Sequence, residues 1–183
     1  MKPAKPMSIC CLCVSWRAFC LRWRNSVGRV ADLLDKFTII MDLDSKQKGN
    51  LTELKCITSF YELGYSVSIP YGENSRYDFI ADINGKLIRV QCKTSREIES
   101  GVIGFSCRSC RSNSHSNIRR KYTKDEIDYF CTYWNCVCYL VPVQECSAEK
   151  KLRLIPPKNN QKAGVNYAYD YEIQRQIDKI IQG

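Results

Sequence analysis

The sequence predicts a mixed α/β or α+β domain built around one central sheet. Three observations predict it. Periodic segments follow in the order helix, strand, hairpin, strand, helix, strand, strand, helix. Asn84-Gly85 separates two runs of alternating hydrophobicity, the strongest short hairpin signal. A hydrophobic fraction of 44% against 26% charged residues suits a folded domain, and 183 residues suffice for one.

The stretch "NLTELKCITSFYELGY" predicts the first helix. Leu51, Leu54, Ile57 or Thr58, and Tyr61 recur at helical spacing. Asn50 suits the N-cap and Gly64 the C-terminal stop. "YSVSIPY" predicts a short strand closed by Pro70, and "GENSR" a loop. The hairpin "YDFIADINGKLIRVQCK" follows, then a third strand in "GVIGFSCRS". Residues 109–121 read as a polar, basic loop. "TKDEIDYFCTYW" opens with Thr123 and has Glu126 three positions on, a capping-box start to a helix. "CVCYLVPV" predicts a buried strand at or near the sheet centre. "KLRLI" is another short strand, and "PPKNNQKAGVN" a loop. Ile173, Ile177 and Ile180 stripe a terminal helix.

The formal net charge of +9 points to an acidic partner, with nucleic acid first. No run approaches eighteen uninterrupted apolar residues, so no membrane span is predicted. Residues 1–40 read as an atypical basic extension ahead of a domain at 41–183. Seven basic and two acidic residues give that segment +5 of the total charge. It also holds four of the twelve cysteines (Cys10, Cys11, Cys13, Cys20) and two of the three tryptophans. Ile9 to Val14 is too short for a secretory-signal core, and arginines follow at once. The expectation is that translation starts at Met41. The alternative is a disordered or loosely helical basic extension. The cysteines are scattered, several in apolar runs, which favours a reducing cytosolic setting.

The hairpin register can be worked out. With Asn84-Gly85 in a type I′ turn, Ile83 pairs with Lys86 and Asp78 falls directly opposite Gln91. Lys93 lies two residues along, on the same face. The other face is Phe79, Ala81, Ile83, Ile88, Val90 and Cys92, so it must meet the core. An ordinary solvated sheet face accounts for the three polar residues. So does a metal site: Asp78 can bind a hard divalent cation such as Mg²⁺, Gln91 can offer a neutral carbonyl oxygen, and the Lys93 ammonium can stabilise developing negative charge. Such a site needs a further acid. Glu53 is the candidate, although Asn50-x-x-Glu53 also has capping-box spacing.

Together these residues resemble the PD-(D/E)xK nuclease superfamily, and within it the intron-encoded homing endonucleases and their bacterial relatives. The resemblance rests on "GNLTELKCITSFYELGY" with Glu53, "YDFIADINGKLIRVQCK" with Asp78, and "QCK" with Gln91 and Lys93. Glu53 precedes Asp78 by 25 residues, and Asp78 precedes Gln91 by 13. "YTKDEIDYF", "CYLVPV" and "PPKNNQ" also look familiar, so the likeness spans about Gly49 to Tyr171. Tyr77 stands where the family name has Pro. Gln91 stands where it has a second acid, as in the homing branch.

The resemblance implies a restriction-endonuclease-like central mixed sheet flanked by helices, with the site at one sheet edge. It implies Mg²⁺-dependent hydrolysis of double-stranded DNA by a metal-bound water. Asp78 would be the principal ligand, Glu53 and Gln91 auxiliary ligands, and Lys93 would position the nucleophile or stabilise the transition state. It also implies a homo-oligomer, dimer or tetramer, in a bacterial or phage-encoded, cytoplasmic, DNA-associated protein. A junction resolvase or a DNA-binding protein that no longer cuts are the other readings on this scaffold.

Arg108, Arg111, Arg119, Arg120 and Lys121 suit phosphate contacts, or an ordinary solvated loop. Lys158, Asn159, Asn160 and Gln161 suit base-edge contacts, or a polar turn. Cys107-x-x-Cys110 with Cys136-x-Cys138 departs from usual zinc spacing, and structural cysteines are favoured there. His115 is the lone histidine, which disfavours a His-based mechanism.

Overall fold

The computed structural model describes residues 43–72, 74–113, 116–156 and 164–182; the side chains of 111–118 lie outside that description. Residues 1–40, His115 and Lys158 to Gln161 therefore fall outside the described residues.

Helix α1 spans Ser45–Glu62, six residues longer at its start than an Asn50 cap predicted. Asp44 is the true cap. Its carboxylate accepts the Gln47 amide at 2.8 Å, while the Gln47 side chain accepts the Asp44 amide at 2.9 Å. That reciprocal box satisfies two helix-start donors and moves the boundary upstream. The exit follows the prediction. Gly64 takes φ 85°, and the amides of Tyr65 and Gly64 bond the carbonyls of Phe60 and Tyr61, a Schellman end. The buried face is Thr52, Cys56 and Phe60, not the predicted stripe. Leu51, Leu54 and Tyr61 are 40%, 61% and 58% exposed.

Strands β1 (Ser66–Ser68), β2 (Phe79–Ile83), β3 (Lys86–Cys92), β8 (Tyr129–Trp134) and β9 (Val137–Pro142) form the central sheet, in the order β1-β2-β3-β8-β9. Only β3 and β8 pair in parallel, so the sheet is mixed. Strands β4 (Arg96–Glu99), β5 (Val102–Ser106) and β10 (Glu149–Arg153) make a second, antiparallel sheet. Helix α2 spans Ile173–Gln182.

One core joins α1 and α2 to the inner face of the central sheet, through Cys56, Phe60, Ile173, Ile177 and Ile180 against Phe79, Ala81, Ile83, Ile88 and Val90. Phe60 meets Phe79 edge to face, with centroids 5.4 Å apart. Each such buried side chain contributes about 1.5–3 kcal/mol. A second core lies on the other face. There Phe130, Tyr139 and Val141 pack against Ile103 and Phe105 of β5 and Leu152 of β10.

Three predicted elements differ. The segment after Ser106 is no loop: β6 (Arg108–Asn113) and β7 (Ser116–Lys121) form an antiparallel hairpin. Polar residues on both faces left no period-two signal. The predicted helix at Thr123 closes a single turn, with the Glu126 and Ile127 amides on the Thr123 carbonyl at 3.1 Å. The chain then enters β8. Asp128 exchanges bonds with Arg89 of β3: the Arg89 amide donates to Asp128 Oδ2 at 2.8 Å, and the Asp128 amide to the Arg89 carbonyl at 2.9 Å. This aligns the chain with β3, and an aromatic-rich run favours a strand. Finally, "CVCYLVPV" forms β9, which is an edge strand. Its burial on both faces, by α2 and by the second sheet, made it read as central. A bridge from Tyr139 to Glu172 covers part of that edge.

Candidate active site

The hairpin turn is as the sequence predicts. Asn84 and Gly85 take φ 54° and 90°, and Ile83 pairs with Lys86 through to Phe79 with Val90. The ladder ends there. The Asp78 amide donates to the Val90 carbonyl at 2.8 Å, so Asp78 and Phe79 share one partner, as in a bulge. Asp78 is thus not squarely opposite Gln91, yet their side chains meet. Gln91 Nε2 donates to Asp78 Oδ2 at 2.6 Å, and the Cys92 amide donates to the same oxygen at 2.6 Å. Gln91 is only 9% exposed, because it pairs with Phe130 of β8, which belongs to the second core. The solvated-face reading fails at this end of the strand.

Glu53 sits within α1 rather than at its cap, which removes the capping reading. It lines one cleft of about 350 Å³ with Asp78, Gln91 and Lys93, joined by Lys46 and Asn50. A hydroxyl contact of 3.2 Å between Thr52 and Thr94 ties α1 to the end of β3. The cleft lies at the ends of two interior strands, not at a sheet edge, since β2 and β3 each have neighbours on both sides.

Burial raises the Glu53 carboxyl above its ordinary range, and the charge of Asp78 raises it further. Burial also raises Asp78, against the Cys92 amide, the Lys93 charge and the Gln91 amide. Two partly desolvated carboxylates therefore repel each other across the cleft. Among the described residues no donor reaches Asp78 Oδ1 or Gln91 Oε1. Two carboxylates and a neutral amide oxygen are a hard donor set that fits a divalent cation such as Mg²⁺.

Lys93 is held by residues the sequence reading missed. Its Nζ donates to the Tyr122 hydroxyl at 3.3 Å and lies 5.1 Å from that ring's centroid. Arg76 stacks on the same ring at 4.1 Å and pairs with Glu126 at 3.2 Å. Tyr122 lies 29 residues from Lys93 in a segment with no periodic signal, so nothing in the sequence joined them.

The basic candidates divide between the faces of the β6–β7 hairpin. Arg108 pairs with Lys121 and Cys110 with Arg119, which puts the three basic residues on one face. Arg120 lies on the other face and pairs with Glu126 at 2.5 Å. Arg111 occupies the register position opposite Ile118. Arg96, Arg108 and Arg119 border a second cleft of about 380 Å³. Among the described residues, Arg108 Nε is buried without a hydrogen-bond partner. The Cys107, Cys110, Cys136 and Cys138 set is not assembled: Cys107 and Cys138 belong to different cores, and the other two are exposed.

The mixed sheet brings Asp78, Gln91 and Lys93 to one cleft with the upstream Glu53, the grouping that the family resemblance implies. The PD-(D/E)XK endonuclease family model matches residues 43–174, and the chain belongs to that family. Among solved structures it is similar to a bacterial homing endonuclease, I-Ssp6803I, at 22% identity. That match covers 77% of this chain and 99% of the other, with a TM-score of 0.61. No curated protein sequence matches the chain. Among the described residues no helix is long and apolar enough to cross a membrane.

Proposed function

We propose that the protein is a divalent-metal-dependent endonuclease that hydrolyses double-stranded DNA in the manner of homing endonucleases. The observation that carries this reading is the meeting of Glu53 and Asp78, both raised by burial, in one cleft with Lys93. Two repelling carboxylates beside an ammonium are costly unless a cation or substrate uses them.

Asp78 would be the principal ligand, through the oxygen not taken by Gln91 and the Cys92 amide. Glu53 would add a second carboxylate, and Gln91 its Oε1. A bound Mg²⁺ supplies a more acidic water and neutralises charge on phosphate oxygens. Gln91 and the Cys92 amide hold the Asp78 carboxylate in place. Tyr122 holds the Lys93 ammonium, which would orient the attacking water and stabilise the phosphorane-like charge. The cleft at Arg96, Arg108 and Arg119 suits backbone phosphate, which fixes position without reading sequence. A symmetric homo-oligomer would present two clefts to the two strands of a duplex.

The test is cleavage of a plasmid by the full chain with Mg²⁺, beside Asp78→Ala and Lys93→Ala. The expected outcome is cutting by the unaltered chain alone. Equal cutting by Asp78→Ala would sink the site. Binding without cleavage would favour a DNA-binding protein on this fold, and cutting confined to branched DNA a junction resolvase.

A further inference from the structure

Four cysteines from four elements converge beneath the cleft. Cys56 comes from α1, Cys92 from β3, Cys131 from β8 and Cys138 from β9. All are at most 9% exposed. The sulfurs of Cys56, Cys131 and Cys138 lie within 4.8 Å of one another, and Cys131 and Cys138 approach to 3.2 Å. The Cys92 thiol neighbours those of Cys56 and Cys131 and interacts with both. Buried cysteine is ordinarily a small hydrophobe that needs no partner of its kind. Three sulfurs gathered at one point, with a fourth thiol beside two of them, are a donor set.

We propose that Cys56, Cys92, Cys131 and Cys138 form a closed structural site for one soft metal ion, zinc. Thiolates select zinc among divalent cations, and structural zinc sites are four-coordinate tetrahedra. With metal–sulfur bonds of about 2.3 Å, tetrahedral sulfurs stand about 3.8 Å apart. The three sulfurs within 4.8 Å need only small shifts to reach that. A multinuclear iron–sulfur cluster sets its thiolates wider apart. On binding, four thiol protons leave for solvent, four metal–sulfur bonds form, and no electron is transferred.

This site is separate from the hard oxygen donors of Glu53, Asp78 and Gln91, and does not depend on their role. Its place gives it a purpose. Cys56 lies three residues beyond Glu53 on α1, and Cys92 stands between Gln91 and Lys93. The ion ties the helix and strand that bring those side chains to one cleft.

The test uses the full chain, expressed with added zinc, purified with its thiols reduced and dialysed against EDTA. About one zinc per chain should remain, as expected of a structural site. Asp78→Ala should retain it, and the double variant Cys131→Ala, Cys138→Ala should lose it. Cobalt(II) loaded into the unaltered chain should give sulfur-to-metal charge-transfer bands and the visible bands of a tetrahedral tetrathiolate. That readout needs no core variant to fold. Changing Cys10, Cys11, Cys13 and Cys20 to serine should leave the spectrum intact. A folded, reduced chain that holds neither ion would overturn the proposal. So would zinc kept by a folded double variant, or a spectrum lost with the four upstream cysteines.

Discussion

Gln91 donates its side-chain amide to Asp78 across 2.6 Å, so a neutral residue of the cleft is bonded to one of its two acids. An acid at position 91 would instead set two carboxylates against each other at hydrogen-bond distance. Glutamine holds Asp78 in position without adding a charge, and it still has an oxygen to offer.

Gln91→Glu tests that trade. In EDTA at neutral pH the variant should be less stable by about 1–3 kcal/mol, because a hydrogen bond becomes a repulsion. That is about 3–10 °C in Tm for a domain of this size. Added Mg²⁺ should raise the variant's Tm more than that of the unaltered protein. An unchanged Tm in EDTA would remove the argument.

The carboxyls of Glu53 and Asp78 titrate above their ordinary values of 4.5 and 3.8. Raised values mean that the folded chain binds more protons than the unfolded one in that range. The metal-free protein should therefore lose stability as pH rises through the window from those ordinary values upward. The penalty is complete above the raised values and absent below the ordinary ones. Divalent-cation affinity should run the opposite way, falling as pH drops through the same window. Glu53→Gln should flatten the stability profile and stabilise the metal-free protein at pH 7 by no more than about 0.5 kcal/mol, since solvent screens the pair. Urea melts across pH 4 to 7 in EDTA would show it.

Tyr122 touches Lys93 through both its hydroxyl and its ring. Tyr122→Phe keeps the ring and removes the bond. The loss should be about 0.5–1.5 kcal/mol, which is about 2–10-fold in kcat. KM for DNA should hold. Tyr122→Ala also removes the Arg76 stack and should cost more. A fall in binding without a fall in kcat would assign Tyr122 to DNA contact instead.

Asp128 anchors the parallel pairing of β3 with β8. Arg89 donates to it from Nε at 3.1 Å, from Nη2 at 3.0 Å and from its backbone at 2.8 Å. Burial raises its carboxyl, but the Arg89 bonds outweigh this and hold it below its ordinary value of 3.8. A depressed acid stabilises the fold above its unfolded value and ceases to as pH falls through its folded one. Asp128→Ala should cost about 1–3 kcal/mol at pH 7. The difference from the unaltered protein should vanish in strong acid. A constant difference from pH 7 down to pH 2 would contradict the linkage.

The sequence by itself determined whatever depends on neighbours along the chain. Asn84-Gly85 set the turn and therefore the register of β2 on β3. Alternation chose the buried face from Phe79 to Cys92, and Gly64 ended α1. The spacing of Glu53, Asp78, Gln91 and Lys93 pointed to the site through family resemblance. Local signals misled where two of them competed. Asp44 and Gln47 capped α1 ahead of Asn50, and the Thr123–Glu126 box closed one turn before Asp128 was drawn to Arg89. Only the tertiary structure decided that Leu51, Leu54 and Tyr61 face outward, that β9 is an edge and that Tyr122 meets Lys93. It also decided that four cysteines from distant segments meet beneath the cleft. The reason is physical: register and capping are set within a few residues, whereas burial and side-chain encounter depend on which elements pack on which face. A chain pattern does not carry that information.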